Sequence, residues 1–299
     1  MILRDKPGVW DLLFALRGSI LPKIAMPLFV LMTLSAAMVW VDQFIQPMIH
    51  PNAGPFAVFG VALSLFLGFR NNAAYDRWWE ARRLWGGLVA DLRSFAREVD
   101  IFVPEAAQRR RILRLALAFL HLHRVNLRKL PRDAAALAAL DEVGAFDGAA
   151  HPPCAALDLI GTEVAVAVRA GQIDGFGART LAARLGSIAL QQAGCERIAT
   201  TPLPYVYSLL IFRTSYLYCL LVPLTLIETA GWMTPLFVAI VAYVFFGLAE
   251  VTEEIGHPFG NTVNGLPLDA MCRTVEISLA PHLGVAAPAP MQPVGFYLS

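Results

Sequence analysis

The chain has 299 residues, 57% of them apolar and only 16% charged, with a mean hydropathy of +0.56. That balance is a poor fit to a soluble globular protein of this length and puts a membrane class first. The formal net charge of +1 carries no sign of a nucleic-acid partner, and none is expected.

In chain order, Met1–Pro22 mixes charged and apolar residues and shows no small-residue cleavage site behind a short apolar core. Ile24–Val41 is an uncharged run of 18 residues, which at about 1.5 Å per residue nearly spans a hydrocarbon core of about 30 Å. Pro55–Phe69 is a second uncharged run of only 15 residues, ending at Arg70-Asn71-Asn72. Alone in lipid it is short, so its helix is expected to continue past Arg70 in a protein-lined or wet setting. From Glu80 to about Thr200 the chain is charged and amphipathic. Leu203–Ile227 and Trp232–Ala249 are apolar again, the first interrupted by Arg213. Glu250, Glu253, Glu254 and His257-Pro258-Phe259-Gly260 follow, and the Pro/Ala-rich tail from Ala286 is expected to be poorly ordered.

Basic residues orient the spans. Four (Arg4, Lys6, Arg17, Lys23) precede the first run and 18 lie from Arg70 to Arg197, whereas segments 42–54 and 228–231 have none. The positive-inside rule therefore puts both termini and the long middle region in the cytoplasm, with four spans returning the chain to its starting side.

The middle region reads as helical. Ile112, Leu115, Ala116, Phe119, His123 and Val125 trace an approximate stripe against a basic face over Arg109–Leu130. Glu163–Ala170 and Arg179–Gln192 predict two more helices, separated by a Gly-rich stretch over 171–177. No strand alternation is evident.

Chemistry-bearing signals are few. Gly60, Ser64 and Gly68 form a small-residue stripe at every fourth position, which lets helix backbones approach closely. Val61, Leu65 and Phe69 form an adjacent apolar stripe. Spacing alone leaves that stripe open between lipid contact, bundle core, and a narrow dry constriction around a shared axis. Arg213 sits about ten residues into the third span, where a lone arginine costs about 2.5–3.5 kcal/mol. It needs water or a partner, and Glu250 or Glu253 is the expected one. Arg77-Trp78-Trp79-Glu80 suits interfacial anchoring. His121 and His123 lack a third ligand at helical spacing, so no metal site is expected. Cys154, Cys195, Cys219 and Cys272 are far apart with no CxxC pair, which argues against a zinc knuckle or disulfide framework. Phosphate-loop, HExxH and GxSxG patterns are absent. A secondary transporter, which usually shows repeats and a midplane site, and a membrane-embedded enzyme remain the alternatives to a channel.

Three segments together resemble one family. Phe66-Leu67-Gly68-Phe69-Arg70-Asn71-Asn72-Ala73-Ala74-Tyr75-Asp76-Arg77-Trp78-Trp79-Glu80-Ala81-Arg82 is similar to the second-helix signature of the bestrophins, in its bacterial form. Gly194-Cys195-Glu196-Arg197-Ile198-Ala199-Thr200-Thr201-Pro202-Leu203-Pro204 resembles the entry to that family's third span. His257-Pro258-Phe259-Gly260 with Leu266-Pro267-Leu268-Asp269-Ala270-Met271 resembles the segment after its fourth. The order and spacing cover roughly residues 5–280.

The resemblance implies an all-α membrane protein with four transmembrane helices per subunit, continuous with a cytoplasmic helical domain, assembled as a homopentamer around one axial pore. It implies a pore neck of Val61, Leu65 and Phe69, and a cytoplasmic aperture near Phe176, with Asp174 beside it. Leu65 stands where animal members more often carry an aromatic. Animal members also follow Asn-Pro-Phe-Gly with an acidic run that clasps calcium. Here Asn261-Thr262-Val263-Asn264-Gly265 follows instead, so no calcium clasp and no cofactor is expected. The implied activity is passive conduction of small monovalent ions, chloride or other anions by resemblance, or sodium and potassium as in part of the bacterial branch. It is not an enzyme's. The implied setting is the cell inner membrane, and the implied partners are further copies of the chain, the permeant ions and the bilayer. The expected division is an N-terminal segment 1–23, spans one and two over 24–79, a cytoplasmic domain 80–202, spans three and four over 203–249, a C-terminal segment 250–285 and the tail 286–299.

Overall fold

The computed structural model describes all residues except 3–7, 16–17, 131–132, 142, 145 and 147. Arg4, Lys6 and Arg17, used above to orient the first span, lie outside the described residues. The described chain is helical: α1 (Val9–Leu13), α2 (Leu21–Phe44), α3 (Ala53–Phe102), α4 (Ala106–Arg128), α5 (Ala134–Leu140), α6 (Pro152–Arg169), α7 (Gly175–Thr200), α8 (Tyr205–Ala230), α9 (Thr234–Ile255) and α10 (Leu268–Leu283). A single 3₁₀ turn, Gly231–Met233, joins α8 to α9. Among the described residues, β pairing is limited to isolated bridges of Tyr297 with Ile2 and Val294.

Helices long and apolar enough to cross a membrane cover Leu21–Phe44, Ala53–Phe102 and Tyr205–Ile255, the last being α8 and α9 with their joining turn. The short second apolar run is resolved as anticipated: α3 continues past Arg70 for a total of 50 residues, roughly 75 Å at 1.5 Å per residue.

The chain divides into two compact units. The span unit comprises residues 5–78 and 202–257, in which α2, α8 and α9 pack against one another. Its core is Ile24 and Leu31 of α2, Leu63 and Leu67 of α3, Tyr218, Cys219 and Val222 of α8, and Val238, Ala242, Phe245 and Phe246 of α9. Pro27 and Pro223 lie inside α2 and α8, where neighbouring helices can satisfy the backbone groups they free.

The second unit comprises residues 1–4, 79–201 and 258–299. Ala81, Trp85, Leu88, Leu92, Phe95 and Val99 of α3 are fully buried at alternating spacings of four and three, one continuous face. Close approach of α3 and α7 depends on glycine. A Cβ on Gly87 would stand 2.8 Å from Gln191 Nε2, and one on Gly194 2.8 Å from Leu84 Cδ2.

Helix α4 departs from the amphipathic reading. Its residues 112, 113, 115, 116, 118–124 and 127 are all buried, because it is packed by α5, α6, α7 and α10. Arg124 and Arg128 enter that core paired: Arg128 donates to Asp269 Oδ2 at 2.7 Å, and Arg124 donates to both Asp269 and Asp133. The tail also differs from expectation. Leu298 N donates to Met1 O at 2.9 Å, Ala270 N donates to Ser299 O at 2.9 Å, and Tyr297 Oη donates to Asn261 Oδ1 at 2.9 Å. Pro/Ala-rich composition lowers the drive to fold alone but does not prevent docking through backbone groups.

Candidate functional site

Within the span unit, α3 buries Gly60, Leu63, Leu67, Arg70 and Ala74, a helical face at spacings of three and four. The opposite face carries Val61, Leu65 and Phe69, which are 63%, 58% and 68% exposed. Three large apolar side chains thus stand in line, one per turn, clear of the unit's own core. The neighbouring small stripe divides. Gly60 is a genuine close contact, since a Cβ there would lie 2.6 Å from Tyr218 Oη. Ser64 returns its hydroxyl to Gly60 O at 2.8 Å, and a Cβ on Gly68 would meet open space.

Phe176 stands not in a loop but in the first turn of α7, 81% exposed. Asp174 is the N-cap, its Oδ1 accepting from Gly177 N at 2.7 Å. The Gly-rich stretch reads as a loop only if the Asp-x-x-Gly cap is overlooked. Gly177 itself lies where a Cβ would be 2.9 Å from Phe102 Cδ1, so the turn bearing Phe176 is held close to α3.

The expected pairing of Arg213 with Glu250 or Glu253 is not formed. Helix α8 buries Ile211, Ser215, Tyr218, Cys219 and Val222, and Arg213 projects from the other side, exposed and in no ion pair among the described residues. The acids of α9 are taken by other cations. Arg70 NH2 donates to Glu253 Oε2 at 2.9 Å and to Ser208 Oγ at 2.8 Å, while Lys23 Nζ lies 2.6 Å from both Glu250 Oε1 and Glu254 Oε1. Arg77 Nε adds a bond to Gly256 O at 2.8 Å. In the sequence Arg70 marks only the end of an apolar run. The signal that finds it is the 250/253/254 spacing, which puts three acids along one face of a helix end.

The second unit holds its charges in closed networks. Arg184 spans Asp91 and Glu98 at 2.8 Å each, and Ser187 Oγ donates to Asp91 Oδ2 at 2.7 Å. The Glu98 hydrogen bond, opposed by partial burial and helped by Asp91, raises the Arg184 pKa. Asp269 resists the upward push of burial because Arg128 and Arg124 hold it as a carboxylate below its usual range. Glu276 is lowered first by its bond from His121, whose Nε2 lies 2.8 Å from Glu276 Oε1. His123 is the exception. It is fully buried between the rings of Trp85 and Phe119, both ring nitrogens lack a hydrogen-bond partner, and burial, with a smaller push from His151, drops its pKa to about 3. No cluster of three or more metal-binding side chains occurs among the described residues.

The sequence profile of the Bacterial/Fungal Bestrophin protein family matches residues 1–281. The chain belongs to the bacterial and fungal bestrophins. A Mesorhizobium japonicum protein named as a voltage-dependent anion channel-forming protein is 44% identical to it, over 100% of this chain and 97% of its own. The Escherichia coli K12 protein YneE, also named voltage-dependent anion channel-forming, is 38% identical over 93% of each. The crystal structure of a bacterial bestrophin homolog from Klebsiella pneumoniae superposes with a TM-score of 0.81 at 34% identity, covering 88% of this chain and 99% of that one. Three residues of the bestrophin-like motifs have structural roles here: Asp269 anchors two arginines, Phe259 is buried, and Glu196 lies 3.2 Å from His151 Nε2. Bestrophin membership also makes this a membrane protein and not an enzyme.

Proposed function

We propose that five copies of this chain surround one axial pore and passively conduct small monovalent anions across the cell inner membrane, with both termini and the second unit on the cytoplasmic side. The reading rests on the α3 stripe: Val61, Leu65 and Phe69, exposed in line on a membrane-crossing helix, form three apolar rings when α3 faces a common axis. Such rings have no charge or hydrogen bond to offer an ion. They favour ions that shed water readily and can close by dewetting. Phe176 forms a second constriction, and Asp174, its carboxylate engaged by Gly177 N, fixes the turn that carries Phe176.

Anions are the favoured sign because relatives at 44% and 38% identity are named as anion channel-forming proteins. The apolar neck itself imposes no sign. The test is the reversal potential of purified protein in a planar bilayer under a potassium chloride gradient. Reversal toward the chloride equilibrium potential is expected. Reversal toward potassium would overturn the sign but keep the pore. A crosslinking ladder ending at the monomer would overturn the assembly.

A further inference from the structure

The span unit contains a cavity of about 310 Å³ between α2, α3, α8 and α9 that the pore reading does not use. One end is charged, lined by Lys23, Arg70, Glu250 and Glu253. The other is apolar, with Pro27, Phe212, Tyr216 and Phe246 as walls. Two polar atoms of buried lining residues lack any hydrogen-bond partner: Arg70 Nε and the hydroxyl of Ser215, a residue with no exposed surface. A donor and a hydroxyl therefore stand unsatisfied beside one space, and unpaired buried polar groups are costly.

We propose that this cavity binds the headgroup of a zwitterionic membrane lipid of the phosphoethanolamine class, with acyl chains leaving over the aromatic wall. Charge balance selects the class. Two cations and two carboxylates line the polar end, so a purely anionic head meets Glu250 and Glu253 and a purely cationic one meets Lys23 and Arg70. A phosphate beside a primary ammonium complements both signs: the phosphate accepts from Arg70 Nε, Lys23 and Ser215, and the ammonium donates to Glu250 and Glu253. A quaternary ammonium has no N–H to donate, which disfavours choline lipids. The volume lies at the lower end of small-molecule sites, enough for a head with its chains outside.

The experiment uses delipidated full-length protein in maltoside micelles. Melting is followed by tryptophan fluorescence as dioleoyl phosphatidylethanolamine, phosphatidylglycerol or phosphatidylcholine is added, with soluble O-phosphoethanolamine and inorganic phosphate as separate arms. The ethanolamine lipid is expected to raise Tm by several degrees, at least threefold more than the other two lipids. Ser215→Leu, which fills the cavity, is expected to abolish the rise. Should that variant fail to fold, Ala249→Phe blocks the same space from a partly exposed wall. Glu253→Gln, which keeps an acceptor for Arg70, is expected to turn the preference toward phosphatidylglycerol. Equal shifts from all three lipids, or an undiminished shift in a correctly folded blocked variant, would overturn the proposal. So would a full shift from soluble O-phosphoethanolamine, or from phosphate, which would assign a free metabolite or an ion alone. Melting requires no current, so this result stands or falls apart from the pore reading.

Discussion

Replacing His123 by phenylalanine should remove a specific sensitivity to mild acid. In the native chain the imidazole lies stacked on Phe119, with ring centroids 5.8 Å apart, and equally 5.8 Å from Trp85. Glu196 is its nearest acid, 3.9 Å from Nδ1, too far for a hydrogen bond. Burial leaves a folded pKa of about 3 against an ordinary 6.5. The unfolded chain therefore takes up a proton below pH 6.5 that the folded chain refuses until about pH 3. Stability from this group is complete above pH 6.5 and is lost as pH falls through that window. By linkage the loss is about 2 kcal/mol at pH 5 and approaches roughly 5 kcal/mol at the lower limit. Asp269 and Glu276, both lowered from ordinary values of 3.8 and 4.5, contribute their own losses only in more acid solution. Thermal melts in detergent at pH 7.5 and pH 5 test this. The wild type should lose several degrees of Tm between the two that His123→Phe does not lose. At pH 7.5 the variant should melt no lower, since it exchanges a buried unpaired polar ring for an apolar one of similar shape. Equal acid losses in the two proteins would refute the reasoning.

Further substitutions probe the span unit and the candidate pore. Phe69→Ala should raise single-channel conductance while leaving stability within about 0.5 kcal/mol of wild type, because the ring is exposed and supports no intrasubunit core. Gly60→Val should lower stability by about 1–3 kcal/mol through collision with Tyr218 Oη, and Tyr218→Phe, which deletes the colliding atom, should restore part of the loss on melting. Asp174→Ala should cost about 1 kcal/mol by removing the α7 cap, whereas Asp174→Asn should keep the cap and leave the bilayer reversal potential unchanged.

Most of the helical framework was legible because apolar run lengths and charge gaps report directly on spans. The continuation of α3 followed from one length argument, that 15 residues are too few to cross lipid alone. What escaped was azimuth. Counting arginines as surface made α4 look half solvated, yet Arg124 and Arg128 lie inside, matched to Asp269 from a helix more than a hundred residues away. The same blindness assigned Glu253 to the wrong arginine. Sequence spacing shows that acids share a helix face but not which neighbouring helix presents its cation there. The helical setting of Phe176 is hidden for a local reason: glycines at 171, 175 and 177 suggest a loop, while the Asp174 carboxylate accepts the hydrogen bond that caps a helix start.

Arg213 supports assembly from a direction independent of the pore stripe. Lys23 and Arg70, beside the α9 acids, each have a carboxylate within 3 Å, whereas Arg213 has no ion pair among the described residues. Its neighbours on the exposed side of α8 are Val206, Leu210, Leu217 and Leu220, a face suited to helix or lipid rather than water. A guanidinium at that depth costs about 2.5–3.5 kcal/mol in each subunit if lipid surrounds it. A neighbouring copy that covers this face with a carbonyl, a carboxylate or a trapped water removes the cost. Arg213→Leu should then weaken the oligomer on a crosslinking ladder while the isolated chain melts no lower. A variant that assembles as well as wild type would place Arg213 in water instead, lining part of the conduction path.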